Sequence, residues 1–541
     1  MDRDALNALC RRIDGRPYPA YRDLVGSWRL GEVEVLVDHV QGDPFAAPSR
    51  LRLRVAHRLE RGLWDDEDGR LACEDALLRA FGRACGGRRR GSGRSGELGV
   101  YRPGPEVCER SALRLLDDGR AEVRFTAGLP ARGRRVLGRQ AFELLTLDVV
   151  EAAEALVGAG GVAEQVASVR LQRRMRRALG SAGLVAFVAD GAVLPRASGI
   201  DQAPLRDAVP FRSPPSLRTE LCGVTGMGVP RGVTLIVGGG FHGKSTLLAA
   251  VQRGHLDHVP GDGRERVVAL ADTVKVRAED GRRVAGVDIS SLLADLPGGR
   301  STAPFSTDDA SGSTSQAAAV VEAVESGARV LLLDEDTSAT NLLVRDPRMR
   351  ALVPREREPI TPLVERVRQV VEVWGLSVVM VVGGVGDFLA VADTVVGMDA
   401  YVPADLTERA AELAGPVPEP PGPLEVPAAR RVDGGLSPGR KVRARDERRL
   451  RYGEGEIELS AVEQVLDAAH ARTVGHALRV LHEVSSGGET VPALLDALEH
   501  ILADEGLEAL SPFREPDGAL IRPRRHEVAA ALNRLRSLRV G

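Results

Sequence analysis

Two short stretches of this 541-residue chain carry residue types suited to chemistry on a phosphorylated ligand. The first is GGGFHGKST, Gly238 to Thr246. Gly238, Gly239, Gly240 and Gly243 allow a backbone that turns its N–H groups toward an anion, and Phe241 and His242 fill the remaining loop positions. Lys244 offers a compact ammonium to the β- and γ-phosphates of a nucleotide, the Ser245 hydroxyl suits Mg²⁺, and Thr246 stands beside it. The chain holds 73 lysines and arginines together, and only Lys244, Lys275 and Lys441 are lysine. A planar guanidinium cannot replace an ammonium inside such a loop, so a lysine here is informative. The second stretch is VLLLDED, an apolar run ending in Asp334 and Glu335. Asp334 suits a Mg²⁺ contact through Ser245 or water, and Glu335 suits the general base that polarises an attacking water. An acidic pair after a strand is also a common turn.

These groups need a scaffold. Thr234–Val237 reads as a buried strand, and the residues from Lys244 onward have helical spacing that buries Leu247, Leu248 and Val251. Strand, G-x-x-x-x-G-K-S and helix together form the setting of a phosphate-binding loop. The expected class is α/β: a P-loop NTPase core over 205–410, an α+β domain over 1–204, a proline-rich linker over 411–428, and a mainly helical domain with a basic start over 429–541. EVEVLVDHV and SRLRLRVAH alternate like half-buried strands, and ALRLLDDGRAEVRFTA reads as a hairpin around Asp118-Gly119. Residues 138–180 look helical with a glycine break near 158–161, and LSAVEQVLDAAHARTVGHALRVLHEV reads as amphipathic helix.

Composition narrows the class. A net charge of −3 excludes a polycation, and no run of eighteen apolar residues is present. The start, MDRDALNALCRRIDG, lacks a signal pattern, so a cytoplasmic location is expected. Five scattered cysteines without a C-x-x-C pair argue against zinc and against a disulfide framework. His255 and His258, near several acids, read as turn residues rather than metal ligands.

Further motifs follow in order. ASGSTSQ (310–316) precedes a helix that feeds the VLLLDE strand, with Ser311 twenty-three residues before Asp334. TSATN (337–341) follows the acidic pair, and VVGGVGDF follows the next apolar run. Together with GGGFHGKST, DHVQGDPFAAPSR and GEIELSAVEQ, these resemble the predicted ATPases of the ABC class, a bacterial family with kinetoplastid mitochondrial relatives associated with RNA editing. The resemblance implies an ABC nucleotide-binding core, ATP and Mg²⁺ as cofactors, and a homodimer. ATP would lie between Lys244, Ser245, Thr246, Asp334 and Glu335 of one subunit and Ser311, Gly312 and Ser313 of the other. With no transmembrane partner segment, transport is not expected.

The chain departs from the ABC pattern in three places, at Gly383-Gly384, Ser313-Thr314 and Asp288. Gly383 and Gly384 stand where a histidine usually follows the strand, so slow turnover is expected. Ser313-Thr314 replaces the usual Gly-Gln, although hydroxyls still donate to phosphate. Asp288 is a candidate metal contact, or equally a helix cap. Phe211 is a candidate adenine-stacking aromatic, or equally a core residue.

Arginine is concentrated outside the ATPase core. GGRRRGSGRSG holds Arg88, Arg89, Arg90 and Arg94 in what reads as a mobile loop. RLQRRMRR places Arg173, Arg174, Arg176 and Arg177 on a helix, and Lys441, Arg443 and Arg445 follow the linker. Either an arginine-rich composition decorates solvated faces here, or these clusters meet a polyanion. The few aromatics (3 %) disfavour base stacking and favour backbone and shape contacts, as to a duplex or structured RNA. The expectation is an ABC-class ATPase whose ATP-bound dimer clamps nucleic acid, RNA favoured. The alternatives are a small-molecule phosphotransferase using Glu335 or Asp336, and a slow ATP-gated protein scaffold.

Overall fold

Apolar runs without alternation, such as VTLIV and SVVMVV, suit strands covered on both faces. In the computed structural model, which describes residues 1–86, 91–294, 296, 298–439, 441–512 and 515–541, they form the centre of a six-stranded sheet. Its strands are β1 (Val233–Val237), β2 (Thr273–Lys275), β3 (Val330–Asp334), β4 (Ser377–Val382), β5 (Thr394–Asp399) and β6 (Val402–Asp405). They lie in the order β2-β3-β4-β1-β5-β6, all parallel except β6. Successive residues face opposite ways. Leu235, Leu331, Leu333, Val378 and Met380 pack with helices α2 (Gly312–Glu325) and α3 (Leu363–Trp374). Ile236, Leu332, Val379 and Val381 pack with α1 (Lys244–Arg253). Each such side chain, fully buried, contributes about 1.5–3 kcal/mol.

A four-stranded antiparallel sheet covers the far side of α1. It runs Arg218–Leu221, Val224–Pro230, Leu184–Ala189, Val267–Ala269, and shares Val185, Val188, Met227 and Val229 with the α1 cluster. The proline-rich stretch has no regular element, since proline cannot donate to a ladder. It lies along α3 instead. Arg366 and Gln369 donate to Gly422 O (2.7 and 2.9 Å), Trp374 Nε1 donates to Glu425 O (2.8 Å), and Leu424 is buried.

After this stretch the chain differs in part from a mainly helical reading. Residues 442–458 form a meander of Val442–Ala444, Arg449–Tyr452 and Gly455–Glu458, packed through Val442 and Leu450 on the helix Ala468–Val484. The alternation in KVRAR and RLRY carries that period of two. The helix expected from Leu459 begins only at Ala468, capped by Asp467. The preceding turn serves the sheet: Gln464 accepts from Lys275 N (3.2 Å) and donates to Thr273 O (3.0 Å), and Glu463 pairs with Lys275 Nζ at 2.6 Å. That satisfies part of the open edge of β2.

A second compact unit comprises residues 1–170 and 511–521. Its antiparallel sheet contains Gly26–Leu30, Val33–His39, Ser49–Ala56 and Arg120–Ala127, with Leu113–Leu115 closing the expected hairpin. Helices then run through 138–157 and from Val162, separated by the glycines near 158–161. Arg88, Arg89 and Arg90 lie outside the described residues. The rest of that tract is not the mobile loop expected: Ser92 N donates to Ala131 O, Arg94 N to Pro44 O and Gly96 N to Gly128 O, at 2.7–3.0 Å. Glycine makes this possible, since a Cβ at Gly128 would lie 1.8 Å from Arg94 O.

Candidate nucleotide site and basic faces

Parallel strands deliver their C-terminal ends to one edge of a sheet, and loops at that edge form the ligand crevice of open α/β folds. The loop after β1, the acidic pair after β3 and the glycine pair after β4 all emerge there. In the first loop Lys244 Nζ donates to Gly238 O and Gly239 O, both at 2.7 Å. Gly243 has φ 97°, caps α1, and a Cβ there would lie 2.6 Å from the Tyr401 ring. Gly238 has φ 137°, and a Cβ there would meet Met398 O at 2.3 Å. Gly239 and Gly240 are exposed. Phe241 is fully exposed and left-handed at φ 65°, a conformation costing a bulky residue about 1–2 kcal/mol. His242 braces it: Nδ1 lies 2.9 Å from Ala400 N and 2.7 Å from Asp399 Oδ1, and its carbonyl accepts from Tyr401 N at 3.1 Å. The β5–β6 turn thus backs the loop, which no motif announced. Ser245 is exposed and Thr246 half-buried in the first turn of α1.

Asp334 is buried, and its Oδ1 accepts from Asp336 N at 3.2 Å. Glu335 Oε2 accepts from Gly383 N at 2.7 Å and from Gly384 N at 3.0 Å. The glycine pair therefore reaches the carboxylate through backbone donors, a role the sequence reading missed by looking for a side chain. Ser311 caps α2: its Oγ accepts from Thr314 N at 3.4 Å and lies 2.9 Å from Thr314 Oγ1 and 3.4 Å from Ser313 Oγ. Gly312 begins the helix, and a Cβ there would find Asp280 Oδ1 at 3.4 Å. Gln316, 1 % exposed, donates to Ser338 Oγ (2.9 Å) and accepts from Ala339 N (2.8 Å), tying this helix to the segment after the acidic pair.

Two candidates fall away. Phe211 is 1 % exposed within the α1 cluster, so its ring has no free face for a base. Asp288 accepts from Ser290 N (3.0 Å) and Ser290 Oγ (2.6 Å), which is the turn-capping role. Among the described residues no group of three histidine, cysteine or acidic side chains gathers as metal ligands. Mg²⁺ needs no such cage: it takes one or two protein oxygens beside substrate phosphates, and Ser245 and Asp334 are of that type. His258 is buried at 2.8 Å from Asp262, which also holds Arg196; burial pushes His255 well below the usual imidazole range.

The basic clusters divide. Arg173 and Arg176 both pair with the buried Asp257 (2.8 and 2.9 Å), and Arg176 also donates to Gly254 O and Leu256 O. Arg174 and Arg177 on the same helix, and Arg94, are exposed. Lys441, Arg443 and Arg445 alternate with inward Val442 and Ala444, so all three are exposed on one face, with Arg451 opposite Arg443. Among the described residues no helix is long and apolar enough to cross a membrane.

Family models match nearly the whole length. The N-terminal region of the ATPases of the ABC class matches 3–158, the ABC ATPase P-loop domain 159–422, and the MRB1590 C-terminal domain 441–541. An uncharacterized protein of Methanocaldococcus jannaschii, MJ1628, is 33 % identical over 187 residues, which cover 32 % of this chain and 42 % of that protein. The chain thus spans less than half of that relative's length. The structure of cbiO1 from Clostridium perfringens, part of the ABC transporter complex cbiONQ, covers 41 % of this chain and is itself 87 % covered, at 15 % identity and a TM-score of 0.25. A P-loop between β1 and α1, an acidic pair after β3, a serine-capped α2 and three consecutive family matches agree: the chain belongs to the ABC-class ATPases.

Proposed function

We propose that this chain hydrolyses ATP slowly, in a homodimer that closes around nucleic acid. The observation that carries the ATPase part is the shared sheet edge, where the Lys244 loop and the Asp334-Glu335 pair emerge. Lys244 and the loop N–H groups hold the β- and γ-phosphates, and Ser245 and Asp334 hold Mg²⁺, which neutralises phosphate charge when bound. Glu335 takes the proton of the attacking water. Ser311 and Ser313, at the positive end of α2, complete the γ-phosphate contacts from the second subunit. A phosphotransferase would have no use for that serine loop.

Lys244→Ala should abolish ATP binding in calorimetry, because the phosphates lose the ammonium of the loop; unchanged affinity would remove the assignment. Glu335→Gln should bind ATP yet release no phosphate above background. Ser311→Arg should bind ATP but fail to dimerise with it. Mixing Ser311→Arg with Lys244→Ala should restore partial activity, since one composite site of the mixed dimer then carries neither lesion.

The outward row Lys441, Arg443 and Arg445 supports the nucleic-acid part, and the RNA-editing-associated relatives favour RNA. Binding of a labelled duplex should weaken steeply with salt, each neutralised phosphate adding about 0.9 to the log–log slope. ATP should tighten it in wild type and in Glu335→Gln but not in Lys244→Ala. A flat salt response, or a pull-down unchanged by nuclease, would favour a protein scaffold instead.

A further inference from the structure

The stretch after β4 lacks the histidine that the ABC pattern places there, yet it touches Glu335. β3 and β4 are neighbours, with Asp334 opposite Val381, so the residue after each strand emerges beside the other. Glu335 Oε2 sits at 2.7 Å from Gly383 N and 3.0 Å from Gly384 N. Neither glycine is left-handed, so backbone conformation does not demand glycine. Nor does a Cβ lack room: at Gly384 it would lie 3.4 Å from Oε1 and at Gly383 3.9 Å from Oε2, both ordinary contacts, so the part played here is that of the backbone N–H groups.

We propose that Gly383 and Gly384 are positioning residues for hydrolysis, whose backbone N–H groups fix the Glu335 carboxylate by Oε2 and leave Oε1 to take the proton from water. Two donors from adjacent residues, directly after a buried strand, set the place of the acid. They are tied to a buried strand and carry no side-chain rotamers, so this orientation needs no rearrangement at the moment of reaction. Nor can the donors titrate, unlike an imidazole. This rests on the reading of Glu335 as general base.

The test uses the full chain with ATP and Mg²⁺, following phosphate release and, separately, ATP affinity. Gly384→Pro deletes one donor and should lower kcat about 10- to 100-fold, the scale of a misplaced reacting group, with ATP affinity within about twofold of wild type. Gly384→Ala keeps the N–H and should lose clearly less. In a Glu335→Gln background the proline should cost little more, because both changes disable one unit. Should Gly384→Pro not fold, Glu335→Asp serves: it keeps the carboxylate but withdraws it from both donors by one methylene, and should lower kcat to a similar degree.

Full kcat in Gly384→Pro, equal loss in the alanine and proline variants, or full kcat in Glu335→Asp would each overturn the proposal. Normal phosphate release by Glu335→Gln would instead overturn the assignment of Glu335 as base. The two failures are therefore distinguishable.

Discussion

The helix that begins at Val162 and the strand Val442–Ala444 both carry runs of positive charge, and the fold uses them in opposite ways. On the helix, Arg173 and Arg176 turn inward onto one buried carboxylate, Asp257. On the strand, Lys441, Arg443 and Arg445 all remain outside. Twelve residues before that strand the fate is again different: Arg430 is buried, paired with Glu325 and hydrogen-bonded to Asn533 Oδ1 (2.7 Å) and Ala285 O (2.8 Å). Charge density in a sequence therefore does not identify a polyanion site. What decides is whether the fold supplies an internal acid.

The contrast is testable by removing the partner. Asp257→Ala removes the buried carboxylate that Arg173 and Arg176 share and should cost about 3 kcal/mol in chemical denaturation. A loss below about 1 kcal/mol would place that helix's charges in the same solvated class as the strand's. Arg430→Ala takes the guanidinium from the Glu325 carboxylate, to which the residue-430 N–H then still donates, and should cost a similar or slightly smaller amount, again about 3 kcal/mol. A melting temperature unchanged by this substitution would erase the difference between Arg430 and the residues that follow it.

Lys441, Arg443 and Arg445 replaced together by alanine should leave stability within about 0.5 kcal/mol, as expected of exposed positions. The same variant should lower the salt slope of duplex binding by roughly two to three, with little change in sequence preference. Unaltered binding would reduce the row to edge protection, since charged residues on an edge strand also prevent strand pairing between molecules. Arg174→Ala should show the smallest effect, below about 0.5 kcal/mol in stability, and its effect on binding would say whether the helix contributes at all.

Local motifs were readable because their physics is local. Gly238, Gly243, Lys244 and Ser245 are close in sequence, and the turn they build, backbone donors ahead of a helix, requires those residue types in that order. The uniform apolarity of β1, β3 and β4 likewise declares strands buried on both faces. The hairpin around Asp118-Gly119 and the broken helix through 138–180 rest on periodicity and on local turn residues, the Asp-Gly pair and the glycines near 158–161. The linker was legible as extended from its prolines; that it lies on Trp374 and Arg366 was not.

What tertiary structure alone decided concerns partners distant in sequence. Phe211 has the spacing of a base-stacking aromatic, but an apolar ring goes wherever a core is open to it, and the α1 cluster was. Gly383 and Gly384 carry no side-chain chemistry, so only the pairing of β3 with β4 reveals that their N–H groups meet Glu335. Arg173 became structural because the fold buried Asp257 beside it, and a buried carboxylate must be paired. The sequence by itself determined where phosphate chemistry is centred and which segments are strands of the core. The three-dimensional packing decided which charges stay exposed and which backbone donors hold the acid, because burial and long-range pairing are properties of the assembled chain rather than of any segment.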